Sequence, residues 1–163
     1  MRFALRSLVS PPILALITFA ALAGCGHKSE TKSLAHDPFA YVQPDCGPTD
    51  GGALVFYFTL KQSQSGKYEE PFVEISINEN LPRSAPRDYT IMPGRSGNYA
   101  VLASRCTTHG KCETATSGTL HLSAFSPAKG ITGEYELHFQ DGSVERDAFD
   151  ATWVALKQPL LCG

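Results

Sequence analysis

Apolar and polar residues alternate with a period of two along much of this chain. Val73, Ile75 and Ile77 are separated by Glu74 and Ser76, the pattern of a strand with one buried face. Leu120, Leu122 and Ala124 interleave with Thr119, His121 and Ser123 in the same way. So do Ile131, Gly133, Tyr135, Leu137 and Phe139 with Thr132, Glu134, Glu136 and His138. Residues 53–60 differ: A-L-V-F-Y-F-T-L is apolar almost throughout, between a G-G pair and a Q-S-Q-S-G stretch, and reads as a central strand buried on both faces. Residues 88–92, 99–105 and 113–116 predict shorter strands. No window of ten residues carries a 3.6-residue apolar period, so helix is not expected.

Turn chemistry then sets expectations about register. Asp141 and Gly142 are the preferred residues of a two-residue type I′ turn, which pairs Phe139 with Val144. Phe149, Ala151 and Trp153 reach the core from that register only if one extra residue is absorbed, which predicts a β-bulge at residues 146–148. Beyond it the expected pairs are Tyr135 with Phe149, Gly133 with Ala151 and Ile131 with Trp153. A loop over residues 126–130 that pairs Ala124 with Ile131 places His121 opposite Glu134 and His138 opposite Ser117. Short strands with turns every 8 to 12 residues describe an all-β fold, an antiparallel β-sandwich, with a small closed β-barrel as the alternative. The expected core is Phe56, Phe58, Ile75, Ile77, Leu120, Leu122, Tyr135, Leu137, Phe149 and Trp153.

The N-terminal segment has another pattern. Arg2 and Arg6 precede an apolar run over residues 8–22, which closes on Leu22, Ala23, Gly24 and Cys25. At about 15 residues, with Pro11 and Pro12 near its start, the run falls short of the ~20 that span a bilayer. The segment resembles a bacterial lipoprotein signal peptide ending in an L-A-G-C lipobox. That resemblance implies cleavage before Cys25, a thioether-linked diacylglycerol on its sulfur, and export to the cell envelope. Gly26 in place of an aspartate leans toward the outer membrane where the host has one, and otherwise the cell membrane. The implied organisation is a signal peptide over 1–24, a lipidated, flexible tether over 25–45, and a β domain over 46–163. The C-terminal strings G-T-L-H-L-S-A-F, I-T-G-E-Y-E-L-H-F-Q-D-G and F-D-A-T-W are similar to a pattern found in small envelope lipoproteins. That similarity implies a hairpin and no functional residue.

Charge and cysteine count refine this picture. The chain carries a formal net charge of −2, and losing Arg2 and Arg6 with the leader deepens it, which argues against nucleic acid as a partner. With Cys25 assigned to lipid, the other cysteines form an even set that an oxidising compartment favours pairing. Cys106 and Cys112 enclose T-T-H-G-K and can face each other across a hairpin, leaving Cys46 to join Cys162 near the two ends of the domain.

Candidate chemistry is sparse. Cys106, His109 and Cys112 form a C-x-x-H-x-x-C array suited to a soft metal, but in an oxidising compartment two thiols at this spacing form a disulfide. His121 and His138 fall on solvated faces and do not meet. Asp141, Glu145, Asp147 and Asp150 read as a solvated acidic edge, without the spacing of a calcium loop. G-R-S-G-N at residues 94–98 lacks the second glycine of a nucleophile elbow, and no catalytic residue is assigned. Tyr57, Phe58, Tyr68, Phe72, Tyr89 and Tyr99 offer core aromatics, any of which becomes a ligand platform if it lands on a solvated face. The expected function is that of a membrane-anchored, non-catalytic envelope protein that binds a protein or glycan partner or plays a structural role, without a cofactor. A small-ligand or metal-binding lipoprotein and an enzyme with a dispersed site are the alternatives.

Overall fold

The computed structural model describes residues 38–47, 51–63, 67–79, 85–94, 101–108, 110–154, 156 and 160–162. Among them there is no helix. Nine strands follow one another: β1 (Phe39–Cys46), β2 (Gly52–Thr59), β3 (Phe72–Ile77), β4 (Arg87–Ile91), β5 (Val101–Thr107), β6 (Lys111–Thr114), β7 (Ser117–Ser126), β8 (Gly130–His138) and β9 (Val144–Trp153). They form a single sheet in the order β4-β7-β8-β9-β1-β2-β3-β5-β6. Every pairing is antiparallel but one: β1 lies parallel to β9, with Tyr41 beside Thr152 and Val42 beside Trp153. The sheet is therefore mixed. It also begins at Phe39 rather than at Cys46, because Val42, fully buried, joins the core beside Phe56 of β2.

The sheet curls over on itself. On a flat sheet with strands about 4.8 Å apart, β2 and β8 would be separated by about 14 Å. Yet the rings of Phe58 and Tyr135 approach to 4.6 Å between centroids, and Phe58 meets Phe149 of β9 at 5.0 Å. The curled inner face gathers the expected core. Phe56, Phe58, Ile75, Ile77, Leu120, Leu122, Tyr135, Leu137 and Phe149 are buried, while Trp153 is half-buried against the core and donates its indole N–H to the Ser126 carbonyl at 2.9 Å. β2 is buried on both faces, as its unbroken apolar run predicts.

The last hairpin departs from expectation in register. His138 pairs with Val144, and the ladder runs without interruption to Gly130 and Thr152. No bulge occurs at residues 146–148. The extra residue is taken up in the turn: Phe139 donates to the Ser143 carbonyl at 3.0 Å, and Gly142 donates to the Phe139 carbonyl at 3.0 Å. Gln140, Asp141 and Gly142 thus form a three-residue connection with Gly142 at φ 81°, the left-handed position such a loop requires. Phe149 consequently pairs with Gly133, Tyr135 with Asp147 and Ile131 with Ala151. The bulge lies instead between β7 and β8, where the register shifts between Leu122 and Ala124. Ala124 pairs with Thr132 rather than Ile131, while His121 opposite Glu134 and His138 opposite Ser117 hold as expected.

This one-residue difference turns Val144 away from the core and Glu145 into it. Glu145 is only 4 % exposed, and a buried carboxylate is tolerated when paired and hydrogen-bonded. Its partner is Arg105, inward-facing on β5, whose Nη1 lies 3.3 Å from Glu145 Oε1 and 2.6 Å from Ser143 Oγ. The same guanidinium donates to Glu113 of β6 (Nη2 at 2.6 Å, Nε at 3.1 Å) and to Asp141 at 2.8 Å, and it stands 4.0 Å over the Phe139 ring. Four strand steps separate β5 from β9, about 19 Å if the sheet were flat. One side chain therefore ties the β5–β6 region to the β8–β9 turn. The Asp141 carboxyl is held down at about 2, first by the Ser143 hydroxyl and N–H and then by Arg105.

Two consequences are measurable in denaturant melts. Arg105→Ala leaves the Glu145 carboxylate buried without its cation and should cost about 3–5 kcal/mol; a cost near that of an exposed salt bridge would show that the network does not hold the curl. Gly133 and Gly142 should separate by mechanism. A Cβ at Gly133 would lie 2.2 Å from the His121 carbonyl oxygen and 2.9 Å from Phe149 Cζ, whereas at Gly142 nothing stands within 4 Å. Gly133→Ala should therefore cost more than about 2 kcal/mol, through displaced backbone, and Gly142→Ala about 1 kcal/mol, through its positive φ alone.

Candidate functional site

The outer face of the β1–β3 half carries the most distinctive chemistry. Alternation along each strand and the register between them bring Tyr41, Tyr57 and Glu74 into one row across β1, β2 and β3. Gln43 and Asp45 follow on β1, and Phe72 precedes Glu74 on β3. The connection from β2 to β3 returns over this face and lays Tyr68 on Tyr57, with centroids 3.9 Å apart and ring planes 15° apart. Tyr41 approaches Tyr68 at 5.6 Å and Phe72 meets Tyr57 edge-on at 5.9 Å. Two hydrogen bonds pin the arrangement: Tyr68 donates to Gln43 Oε1 at 3.2 Å, and the Ser63 N–H donates to the Tyr41 hydroxyl at 3.0 Å.

These four rings are half-buried, whereas Phe58 and Tyr89 belong to the core; Tyr99 lies outside the described residues. Burial, with Glu74, Asp45 and Tyr68 behind it, pushes the Tyr57 hydroxyl well above its ordinary range, and burial followed by Tyr41 takes Tyr68 up to about 12. Glu74 is itself shifted upward, by burial first and then by the negative charge of Asp45. Neither Glu74 nor Asp45 has an ion-pair partner among the described residues. Glu74 looks in the sequence like any outward residue of a half-buried strand. Its partial burial and the nearby charge of Asp45 arise only in the folded sheet, and the sequence carries no local sign of either.

The outer face of the other half is polar. His121 Nδ1 engages Asp88 on β4, and His138 Nε2 lies 2.9 Å from Glu136 Oε1. The two imidazoles serve separate pairs, as the register requires. A shallow cleft of about 360 Å³ opens here between Thr119, His121, Glu134, Glu136 and Arg146. A carboxylate-oriented imidazole can move a proton, but no Ser, Thr or Cys side chain is hydrogen-bonded to either ring among the described residues. The acidic edge expected of the last hairpin does not form as one surface. Asp141 and Asp150 are exposed, Asp147 is half-buried on the inner face, and Glu145 is the buried partner of Arg105.

Cys106 and Cys112 pair across β5 and β6, with sulfurs 2.00 Å apart, and Cys46 and Cys162 stand at 2.06 Å. Both pairs are at disulfide distance, in the expected combination. His109, the third member of the candidate metal array, lies outside the described residues, as do Cys25 and the signal segment. No group of three or more His, Cys, Asp or Glu side chains is placed to hold a metal among the described residues.

Peptide mapping of the unreduced chain should recover Cys46 with Cys162 and Cys106 with Cys112. Reduction should destabilise chiefly through the larger ring, by about 5 kcal/mol against about 2 kcal/mol for the smaller, since closure entropy grows with ring size. Two titratable thiols at Cys106 and Cys112 would return that loop to the role of a metal site. In comparisons with protein-family models, with curated proteins and with solved structures, nothing matches this chain.

Proposed function

We propose that this chain is a lipid-anchored protein of the cell envelope whose β domain binds a partner without catalysing a reaction. The anchor is Cys25, on the strength of the basic residues, the apolar run and the L-A-G-C sequence that ends it. The binding role is carried by one observation: a half-buried tyrosine cluster shares the outer face of β1–β3 with two carboxylates that have no ion pair among the described residues, a constellation that folding alone does not demand. More finely, the scaffold is read as an incompletely closed barrel, because the strand order runs unbroken from β4 to β6 while the inner faces of β2 and β8 touch.

Several acyl chains, each contributing about 0.8 kcal/mol per buried CH₂, hold a protein far more firmly than a single marginal chain. Cys25→Ser should therefore move the protein out of the membrane fraction or leave it unprocessed. Finding that variant cleaved at the same site and still lipidated would overturn the anchor.

A further inference from the structure

Charge compensation in this molecule is uneven. Where a carboxylate is buried on the inner face, Arg105 meets it; even the exposed Glu69 has Lys61 at 2.7 Å. On the outer face of β1–β3, the charge of Asp45 acts on Glu74 and both act on Tyr57, with no cation paired to either carboxylate among the described residues. Tyr68 and Gln43 already satisfy each other, and Tyr41 already accepts from Ser63. What the face still offers is carboxylate oxygen beside the tyrosine cluster, which attracts a cation.

We propose that this face docks an extended basic segment of a partner protein, seating lysine or arginine side chains against Tyr57, Glu74 and Asp45. The inference rests on the binding role proposed above and names its partner's chemistry. Electrostatic complementarity selects the occupant: an anionic segment is repelled, and a neutral glycan leaves both carboxylates without a counter-charge. The spread of the charges selects a peptide over a small amine. Asp45 lies four residues beyond Tyr41, the strand neighbour of the Tyr57–Glu74 pair, so the backbone positions that carry the two carboxylates are offset by about 13 Å along β1, although their side chains come near enough for Asp45 to act on Glu74. An extended chain with basic residues two to four positions apart covers that distance.

The cost of the arrangement to the fold supports a role in binding. Because burial and Asp45 favour the protonated form of Glu74, its ionised form at neutral pH destabilises the folded chain, and Glu74→Gln should fold at least as stably as the parent. A residue that weakens the fold where it stands is expected of a binding surface rather than of a structural clamp.

The test uses the full-length chain in detergent and a fluorescein-labelled peptide of alternating lysine and glycine, read by anisotropy. Saturable binding is expected, and Glu74→Gln and Asp45→Asn should each weaken it by about tenfold, the loss expected for one partly desolvated charge pair. Glu134→Gln and Asp88→Asn, on the outer faces of β8 and β4 at the far side of the sheet, should leave affinity within about twofold. Thermal melts of the same samples separate lost binding from lost folding. Unchanged affinity in Glu74→Gln, or equal weakening in all four variants, overturns the proposal. So does a tetramer of N-acetylglucosamine that binds while the basic peptide does not. Lipidation of Cys25 does not enter this measurement, so failure of the anchor, read by fractionation, stays distinct from failure of the docking face.

Discussion

The ion pair between Arg105 and Glu145 is the constraint on which the curled sheet depends. A sheet of nine strands has two long ends and no inherent reason to bring β5 beside β9, since they are four strands apart. Apolar burial supplies most of the drive, through Phe56, Phe58, Tyr135 and Phe149, but it is non-directional and would accept a slide of one face over the other. Glu145 removes that freedom. A carboxylate 4 % exposed is unfavourable wherever it lacks a cation, so only the arrangement that places Arg105 against it is available. The guanidinium suits this task because its planar fork reaches Glu113, Asp141, Ser143 and Glu145 at once while stacking on Phe139.

That pair in turn depends on a turn. If Asp141 and Gly142 alone connected β8 to β9, Val144 would face inward and Glu145 would be solvated. The three-residue connection shifts β9 by one residue, and in a strand such a shift exchanges its two faces. The same shift sets the Phe149 ring over Gly133, the one position of β8 where a side chain would collide with the carbonyl of His121. Glycine there and an aromatic ring opposite are complementary: the ring covers backbone that the glycine leaves bare. Sheet, turn and ion pair are therefore solutions to one packing problem, and the tyrosine face forms on the outside of the result.

On that outside, order is supplied by aromatic stacking. Tyr68 on Tyr57, fixed by Gln43, holds the β2–β3 connection against the outer face of β2. Glu74 is half-buried on the same face, where burial and the charge of Asp45 disfavour its ionised form, and no cation pairs with it among the described residues. The contrast with the β4–β7–β8–β9 outer face is physical: there the imidazoles and carboxylates are more exposed and already paired, His121 with Asp88 and His138 with Glu136.

By itself the sequence determined the strands, because alternation is a local property: Val73, Ile75 and Ile77, or Leu120 and Leu122, need only their neighbours to declare which face is apolar. It also determined the all-β class, the cysteine partners and nearly the whole core, and it separated the two histidines. Tertiary structure decided what depends on a single residue of register or on distant parts of the chain. The Asp141–Gly142 pair is compatible with two turn lengths, and packing of Phe149 over Gly133 chose between them. Arg105 and Glu145, 40 residues apart, carry no local sign of each other, and an isolated arginine in a strand resembles a surface residue. Glu74 became an unusual group only once folding half-buried it within reach of Asp45, since the field at a side chain is set by what is brought near it in space and not by what adjoins it in the chain.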